Sequence, residues 1–122
     1  MIQNPILPGF HPDPCICRKG DDYYLAVSTF EWFPGIPVYH SKDLKHWELL
    51  THVLTDDEKV DLKKLPSAKG IWAPCLTYCE KEDMFYVNAS WMHGFRPETN
   101  FRTLPFGFQQ RRSMGQPHKI GL

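Results

Sequence analysis

The chain has 122 residues, enough for one domain of ordinary size, and 42% of them are hydrophobic. Lysine plus arginine and aspartate plus glutamate each total 14, so the formal net charge is zero and indicates no nucleic-acid or anionic-membrane partner. Eleven prolines and eight glycines argue against long helices and predict many short elements.

The sequence predicts neither a membrane-spanning segment nor a targeting segment. No apolar run approaches the ~20 residues that span a bilayer. No basic cluster followed by an apolar stretch opens the chain, so we expect no signal peptide. We therefore expect a cytoplasmic protein without a membrane partner, whose four cysteines stay reduced.

The first informative stretch is residues 4–14, in which Asp13 stands between Pro12 and Pro14. Proline fixes its own φ and pushes the residue before it toward extended geometry, so we expect Asp13 on a stiff, extended backbone. A rigidly presented carboxylate just upstream of a strand suits a general base. The alternative is an ordinary surface turn, in which aspartate is common.

The residues that follow predict an antiparallel meander. Segments rich in β-forming residues alternate with short turns, among them a turn at Gly20 and an aromatic loop over residues 31–35. Proline cannot donate a hydrogen bond within a sheet. Pro37 therefore predicts either that the third segment is an edge strand or that the proline lies among the first residues of the strand. The predicted strands are residues 15–18, 23–30, 36–41 and 47–50.

The strand pattern then restarts after a polar connection. Residues 55–65 are charged and predict a short helical turn capped by Thr55 or a solvated connection. Residues 70–78 and 84–90 predict two more strands, joined by an acidic turn. Repeated antiparallel four-stranded units are typical of a β-propeller, and the chain is long enough for about two and a half blades.

The four cysteines raise the question of a metal. Cys15 and Cys17 share one face of a predicted strand, and Cys75 and Cys79 lie further along the chain. Their spacings do not match the paired C-x-x-C knuckles of zinc sites. We therefore favour buried free cysteines and expect no metal and no cofactor, with a four-thiolate zinc site as the alternative.

The last 31 positions change in character. Residues 92–122 carry an excess of basic side chains, with Glu98 as the single acid, and show no strand alternation. We interpret them as an irregular basic tail. A basic tail is sometimes a nucleic-acid contact, but here no fold signature supports one.

Several motifs together resemble glycoside hydrolase family 43, and within it the β-xylosidases. The resemblance runs from about residue 4 to about residue 87, with the motifs in order and at the right spacing. The stretches that carry it are residues 4–14, 20–24, 28–35, 40–44 and 70–74.

That resemblance implies an all-β, five-bladed β-propeller with its active site at the mouth of the central channel. It implies that Asp13 is the general base of an inverting hydrolysis of a xylosidic or arabinofuranosidic bond, so the partner is a pentose-containing oligosaccharide. It also implies that Phe30, Trp32 and Trp72 line the pocket at the non-reducing sugar. Core packing is the alternative role for the two tryptophans.

The departures from the family pattern are equally informative. An inverting hydrolase needs a second carboxyl group as acid. The leftover candidates, Asp83 and Glu98, lie in no family motif. We therefore predict about two propeller blades over residues 1–91, an unmatched tail over residues 92–122, and an N-terminal fragment that lacks the general acid. The alternative is an inactive remnant or weak sugar-binding fragment, and open blade edges predict association with itself or another chain.

Overall fold

The computed structural model describes residues 1–56, 60–93, 101–109 and 118–120. Within these ranges the chain is all-β, without a helix, and therefore without a helix able to cross a membrane. The cytoplasmic location stays a prediction. The strands are β1 (Cys15–Lys19), β2 (Asp22–Ala26), β3 (Gly35–Ser41), β4 (Glu48–Leu54), β5 (Gly70–Cys79), β6 (Met84–Met92), β7 (Phe101–Gln109) and β8 (His118–Ile120).

The strands form two antiparallel sheets. The first sheet has the order β1-β2-β3-β4, and the second sheet has the order β5-β6-β7-β8. The meander expected of the first half is confirmed, with Cys17 opposite Tyr24 and Tyr24 opposite His40. Segments rich in β-forming residues and the short turns between them suffice to predict it.

The tail expectation is wrong for the residues that the structure describes there. β7 pairs with β6 along its whole length, from Phe85 opposite Phe108 to Met92 opposite Phe101, and β8 pairs with the end of β7. Phe108 is buried and its ring stacks on that of Phe85, with centroids 5.0 Å apart. This segment forms a strand because it pairs with β6 and buries an aromatic ring. Neither contact produces an alternating pattern in the sequence.

The connection between the sheets is described except for residues 57–59. A helical turn capped by Thr55 would fall on those positions, so that prediction lies outside the described residues, and the solvated alternative fits only part of the rest. Val60 and Leu62 are buried in the main hydrophobic cluster. In the sequence these two apolar residues stand among charged neighbours, so their burial was not predicted.

The two sheets pack through β1 and β5. Cys15 Sγ lies 3.2 Å from the backbone nitrogen of Leu76, which donates to it. The ring of Tyr24 meets that of Phe85 with centroids 4.4 Å apart. Lys19 forms an ion pair with Asp83 at the far end of the same contact. Because both sheets bury one face against each other, the loops that enter β1, leave β2 and begin β5 are held together at one end.

Candidate active site

Asp13 lies in the loop that enters β1, and its conformation differs from the one expected. Its φ is +51°, in the left-handed region, instead of the extended geometry that Pro14 favours. Aspartate tolerates this region better than most residues, but it still costs of order 1 kcal/mol. Such a conformation persists only where the surrounding contacts enforce it.

Ser28 supplies the contact that holds the carboxylate. Its hydroxyl donates to Asp13 Oδ2 at 2.6 Å and accepts a hydrogen bond from the Ala73 backbone N–H at 2.7 Å. Its own backbone N–H donates to the Pro12 carbonyl at 2.9 Å. One buried serine therefore joins the loop before β1, the end of β2 and strand β5.

Two of the three predicted sugar-contacting aromatics meet beside this serine. Phe30 follows Ser28 by two positions and Trp72 directly precedes Ala73, and their rings meet edge to face with centroids 6.0 Å apart. Phe10 extends the cluster, with its ring 5.5 Å from that of Phe30. The hydrogen bonds of Ser28 thus connect the carboxylate of Asp13 to the residue that follows Trp72.

The main chain brings these aromatics together. Phe30 leaves the first sheet with a φ of +50° and pairs with Ile71 of β5 through two hydrogen bonds, of 3.0 and 2.9 Å. Gly70 permits this approach, since a Cβ there would overlap the carbonyl of Phe30 and lie 2.8 Å from the Glu31 nitrogen. The crossing is the only isolated bridge among the described residues.

Trp72 is held from its outer edge. Its indole Nε1–H donates to the Ala68 carbonyl at 2.9 Å, and the Ala68 N–H donates to Glu31 Oε2 at 3.1 Å. The ammonium of Lys69 lies 5.4 Å from the centre of the Trp72 ring. These contacts fix the ring without burying it, which suits an aromatic platform better than a core residue.

Trp32 takes a different position from the other two aromatics. Its backbone N–H donates to the Thr29 carbonyl at 2.9 Å, which closes a turn after Phe30. Its side chain is 65% exposed. Core packing is therefore excluded for Trp32, and its ring stands at the surface of the same loop.

The second carboxyl group is not supplied by the leftover candidates as far as they are described. Asp83 accepts a hydrogen bond from Tyr78 at 2.7 Å, at the opposite end of β5 from Ala73. Five residues of extended strand separate Tyr78 from Ala73, or roughly 16 Å. That exceeds the ~6.5–9.5 Å between the two carboxyls of an inverting pair. Glu98 lies outside the described residues.

The cysteines do not converge. Cys15 and Cys17 pack against the core between the sheets, whereas Cys75 is exposed. No group of three or more metal-ligating side chains is found among the residues described. Burial, with the neighbouring Cys15 as a smaller cause, raises the pKa of Cys17 to about 11. A protonated thiol is a poor metal ligand, so the geometry does not favour the zinc alternative.

Sequence reasoning missed Ser28, Phe10 and Gly70 as parts of this site. Ser28 had one visible indication, because a polar residue ends an apolar run of β2. Its partners lie 15 and 45 positions away, so the hydrogen bonds themselves could not be inferred. Gly70 was predicted only as the first residue of a strand, and its contact with the Phe30 backbone joins positions 40 residues apart.

Comparison with known proteins identifies the family. The family model described as "Glycosyl hydrolases family 43" matches residues 2–102. The chain belongs to glycosyl hydrolases family 43. The family match extends to residue 102. Residues 92–102, which we expected to be unmatched, therefore lie within it.

Individual family 43 relatives show how far the likeness extends. A beta-xylosidase of Bacillus subtilis (strain 168) is 50% identical over 96 residues, which are 74% of this chain and 18% of that protein. A non-reducing end alpha-L-arabinofuranosidase of Bacteroides ovatus is 54% identical over 87 residues, or 70% of this chain and 16% of that protein. The crystal structure of a xylan beta-1,4-xylosidase from Bacillus halodurans C-125 superposes with a TM-score of 0.78 at 43% identity, over 98% of this chain and 22% of that one.

The chain thus spans about a fifth of the length of these family 43 relatives. What a whole relative does is therefore a proposal for this chain.

Proposed function

We propose that this chain carries the general base and part of the sugar platform of an inverting family 43 glycosidase that cleaves xylosidic or arabinofuranosidic bonds. The observation that supports this most is the link from Asp13 through Ser28 to Ala73, which ties the carboxylate to the strand bearing Trp72. A fixed carboxylate linked to half-buried aromatic rings is an arrangement that suits sugar hydrolysis.

In the proposed reaction Asp13 takes a proton from a water molecule as that water attacks the anomeric carbon of a terminal pentose. Phe30 and Trp72 offer apolar ring surface to the C–H groups of the sugar, and the exposed Trp32 extends that surface toward solvent. A separate carboxylic acid must protonate the leaving oxygen. We propose that this chain is a fragment that lacks that acid.

We further propose that the two sheets are two adjacent blades of a five-bladed β-propeller. Each is a four-stranded antiparallel meander, and successive meanders in one chain are the repeat unit of that architecture. The chain's span of about a fifth of its relatives supports an incomplete propeller.

Hydrolysis by the chain is tested with nitrophenyl β-D-xyloside and nitrophenyl α-L-arabinofuranoside. Turnover that Asp13→Asn abolishes is the result that supports hydrolysis by this chain, since the amide cannot accept the proton from water. The control is Asp21→Asn, because the side chain of Asp21 is 97% exposed and lies in the β1–β2 turn. Equal rates in the parent chain and Asp13→Asn would exclude Asp13 as the base.

A second candidate function is a sugar-binding remnant without catalysis. The separation of Asp83 from the site favours it, because Asp83 lies too far away to act as the acid of an inverting pair. Calorimetry with xylobiose tests it: millimolar binding that Trp72→Ala removes, in a chain without turnover, is the expected result. No heat at millimolar sugar would exclude a useful binder.

We also propose that the chain associates with itself. The face of the first sheet that points away from the second sheet is apolar and carries the half-exposed side chains of Ile16 and Leu49. Exposed apolar surface of this kind is typical of a contact region. A second copy of the chain is the partner that we assign to it.

A further inference from the structure

Ser28 is held in place by burial and by two hydrogen bonds that do not involve Asp13. The side chain is fully buried, and the backbone N–H is engaged by Pro12. The Ala73 N–H occupies an acceptor position of Ser28 Oγ at 2.7 Å. A hydroxyl has a single proton to donate, and with the Ala73 contact made, that proton is directed to Asp13 Oδ2.

Asp13 itself has little else to hold it. Its side chain is exposed, and an exposed aspartate ordinarily samples several χ1 rotamers. A carboxylate that must meet one water in one direction loses rate when it rotates, and a displacement of about 1 Å can cost up to ~100-fold. The hydrogen bond from a fixed hydroxyl removes that freedom.

We propose that Ser28 is a positioning residue that locks the Asp13 carboxylate and couples its orientation to the second sheet through Ala73. This inference rests on the proposed function for its effect on rate, but the locking of Asp13 can be tested alone. It assigns a role to a residue that touches neither water nor sugar. The second sheet thereby sets where a carboxylate of the first sheet points.

The test compares Ser28→Ala with a matched control, Ser41→Ala. Ser41 is also almost fully buried, and its hydroxyl donates to Asp43 at 3.2 Å in the β3–β4 turn. Both variants therefore lose a buried hydroxyl that donates to an aspartate, but only one of those aspartates is Asp13. Three-bond NMR couplings report the χ1 rotamer of Asp13 in the full chain.

We expect one Asp13 rotamer in the parent chain and in Ser41→Ala, and averaged couplings in Ser28→Ala. Ser28→Thr keeps the hydroxyl and restores the single rotamer. Ser28→Cys, whose thiol fills the space but donates weakly, repeats the test in a variant that retains the packing. In turnover assays Ser28→Ala lowers kcat about 10-fold and changes KM less than about twofold, since sugar contacts are untouched.

A single Asp13 rotamer in both Ser28→Ala and Ser28→Cys would overturn the inference, whatever the rates. So would an equal loss of kcat in Ser28→Ala and Ser41→Ala, because that result means general destabilisation. A parent chain without turnover overturns the proposed hydrolysis instead, and the couplings still decide whether Ser28 holds Asp13.

Discussion

Cys17 shows how a single position reports the contact between the sheets. It faces the core from β1, and burial raises the pKa of its thiol from 9.0 to about 11. Two pH units correspond to a thiolate population about 100-fold below that of an ordinary thiol. Cys75, in contrast, is exposed on β5.

Thiol labelling at pH 8 should therefore distinguish the two cysteines. We expect Cys75 to react first, and Cys17 at least about 100-fold more slowly because its thiol is both protonated and shielded. Mass spectrometry of labelled peptides gives the order, and Cys75→Ser removes the fast phase as a control. Raising the pH toward 11 should speed the reaction of Cys17. Equal labelling of both residues at pH 8 means that β1 and β5 do not pack as described.

The backbone conformation of Asp13 could not be predicted from its neighbours in the chain. Its flanking prolines predicted a stiff presentation but the wrong backbone region, since φ is positive. Local proline effects are worth about as much as one hydrogen bond, so the contact with Ser28 can override them.

At the scale of elements, the crossing of Phe30 onto β5 organises the site. The chain leaves β2 after Ala26, runs through buried Ser28 and pairs with Ile71. The prediction of one strand over residues 23–30 was too long, because β2 ends at Ala26 and Phe30 pairs with Ile71 of the second sheet. Both aromatic rings depend on this short bridge.

Gly70→Ala should break that bridge. The added Cβ meets the Phe30 carbonyl, which is backbone and cannot move aside, and φ at Gly70 is +107°. We expect a loss of about 3 kcal/mol or more in the free energy of unfolding, measured by urea denaturation.

Gly20→Ala is the matched control for that substitution. Gly20 has a φ of +59°, and nothing lies within 4 Å of a Cβ placed there. It should cost about 1 kcal/mol, from backbone strain alone. Similar losses in the two variants would contradict the close approach of Gly70 to Phe30.

For the whole molecule, the outer face of the first sheet carries exposed apolar side chains. Together with the N-terminal segment, Ile16, Leu25 and Val27 line an open apolar pocket of about 360 Å³. Ile16 and Leu49 are 52% and 53% exposed. Burying this face against another chain gains hydrophobic free energy of roughly 25 cal/mol for each Å² of apolar surface.

Sedimentation velocity over a range of concentrations tests the association. We expect the parent chain to shift toward dimer as concentration rises, and Ile16→Lys to remain monomeric because a charge cannot be buried unpaired in the apolar face. Thr77→Lys adds the same charge at an exposed position of β5 and should leave the association unchanged. A parent chain that stays monomeric at every concentration would refute the proposal.

The sequence by itself determined the all-β class, the meander of the first sheet, the start of the second, and the family. Alternation, turn residues and short motifs are local features, so they can be read from neighbours along the chain. The family resemblance carried by those motifs implied Asp13, Phe30 and Trp72 as site residues.

Only the tertiary structure decided what these residues touch. β7 forms because β6 offers it a partner, and Val60 and Leu62 are buried because two sheets leave a space for them. Ser28 meets Asp13 and Ala73 because the sheets pack through β1 and β5. Contacts between residues far apart in the chain depend on how the sheets pack, and a pattern of neighbours does not contain that information.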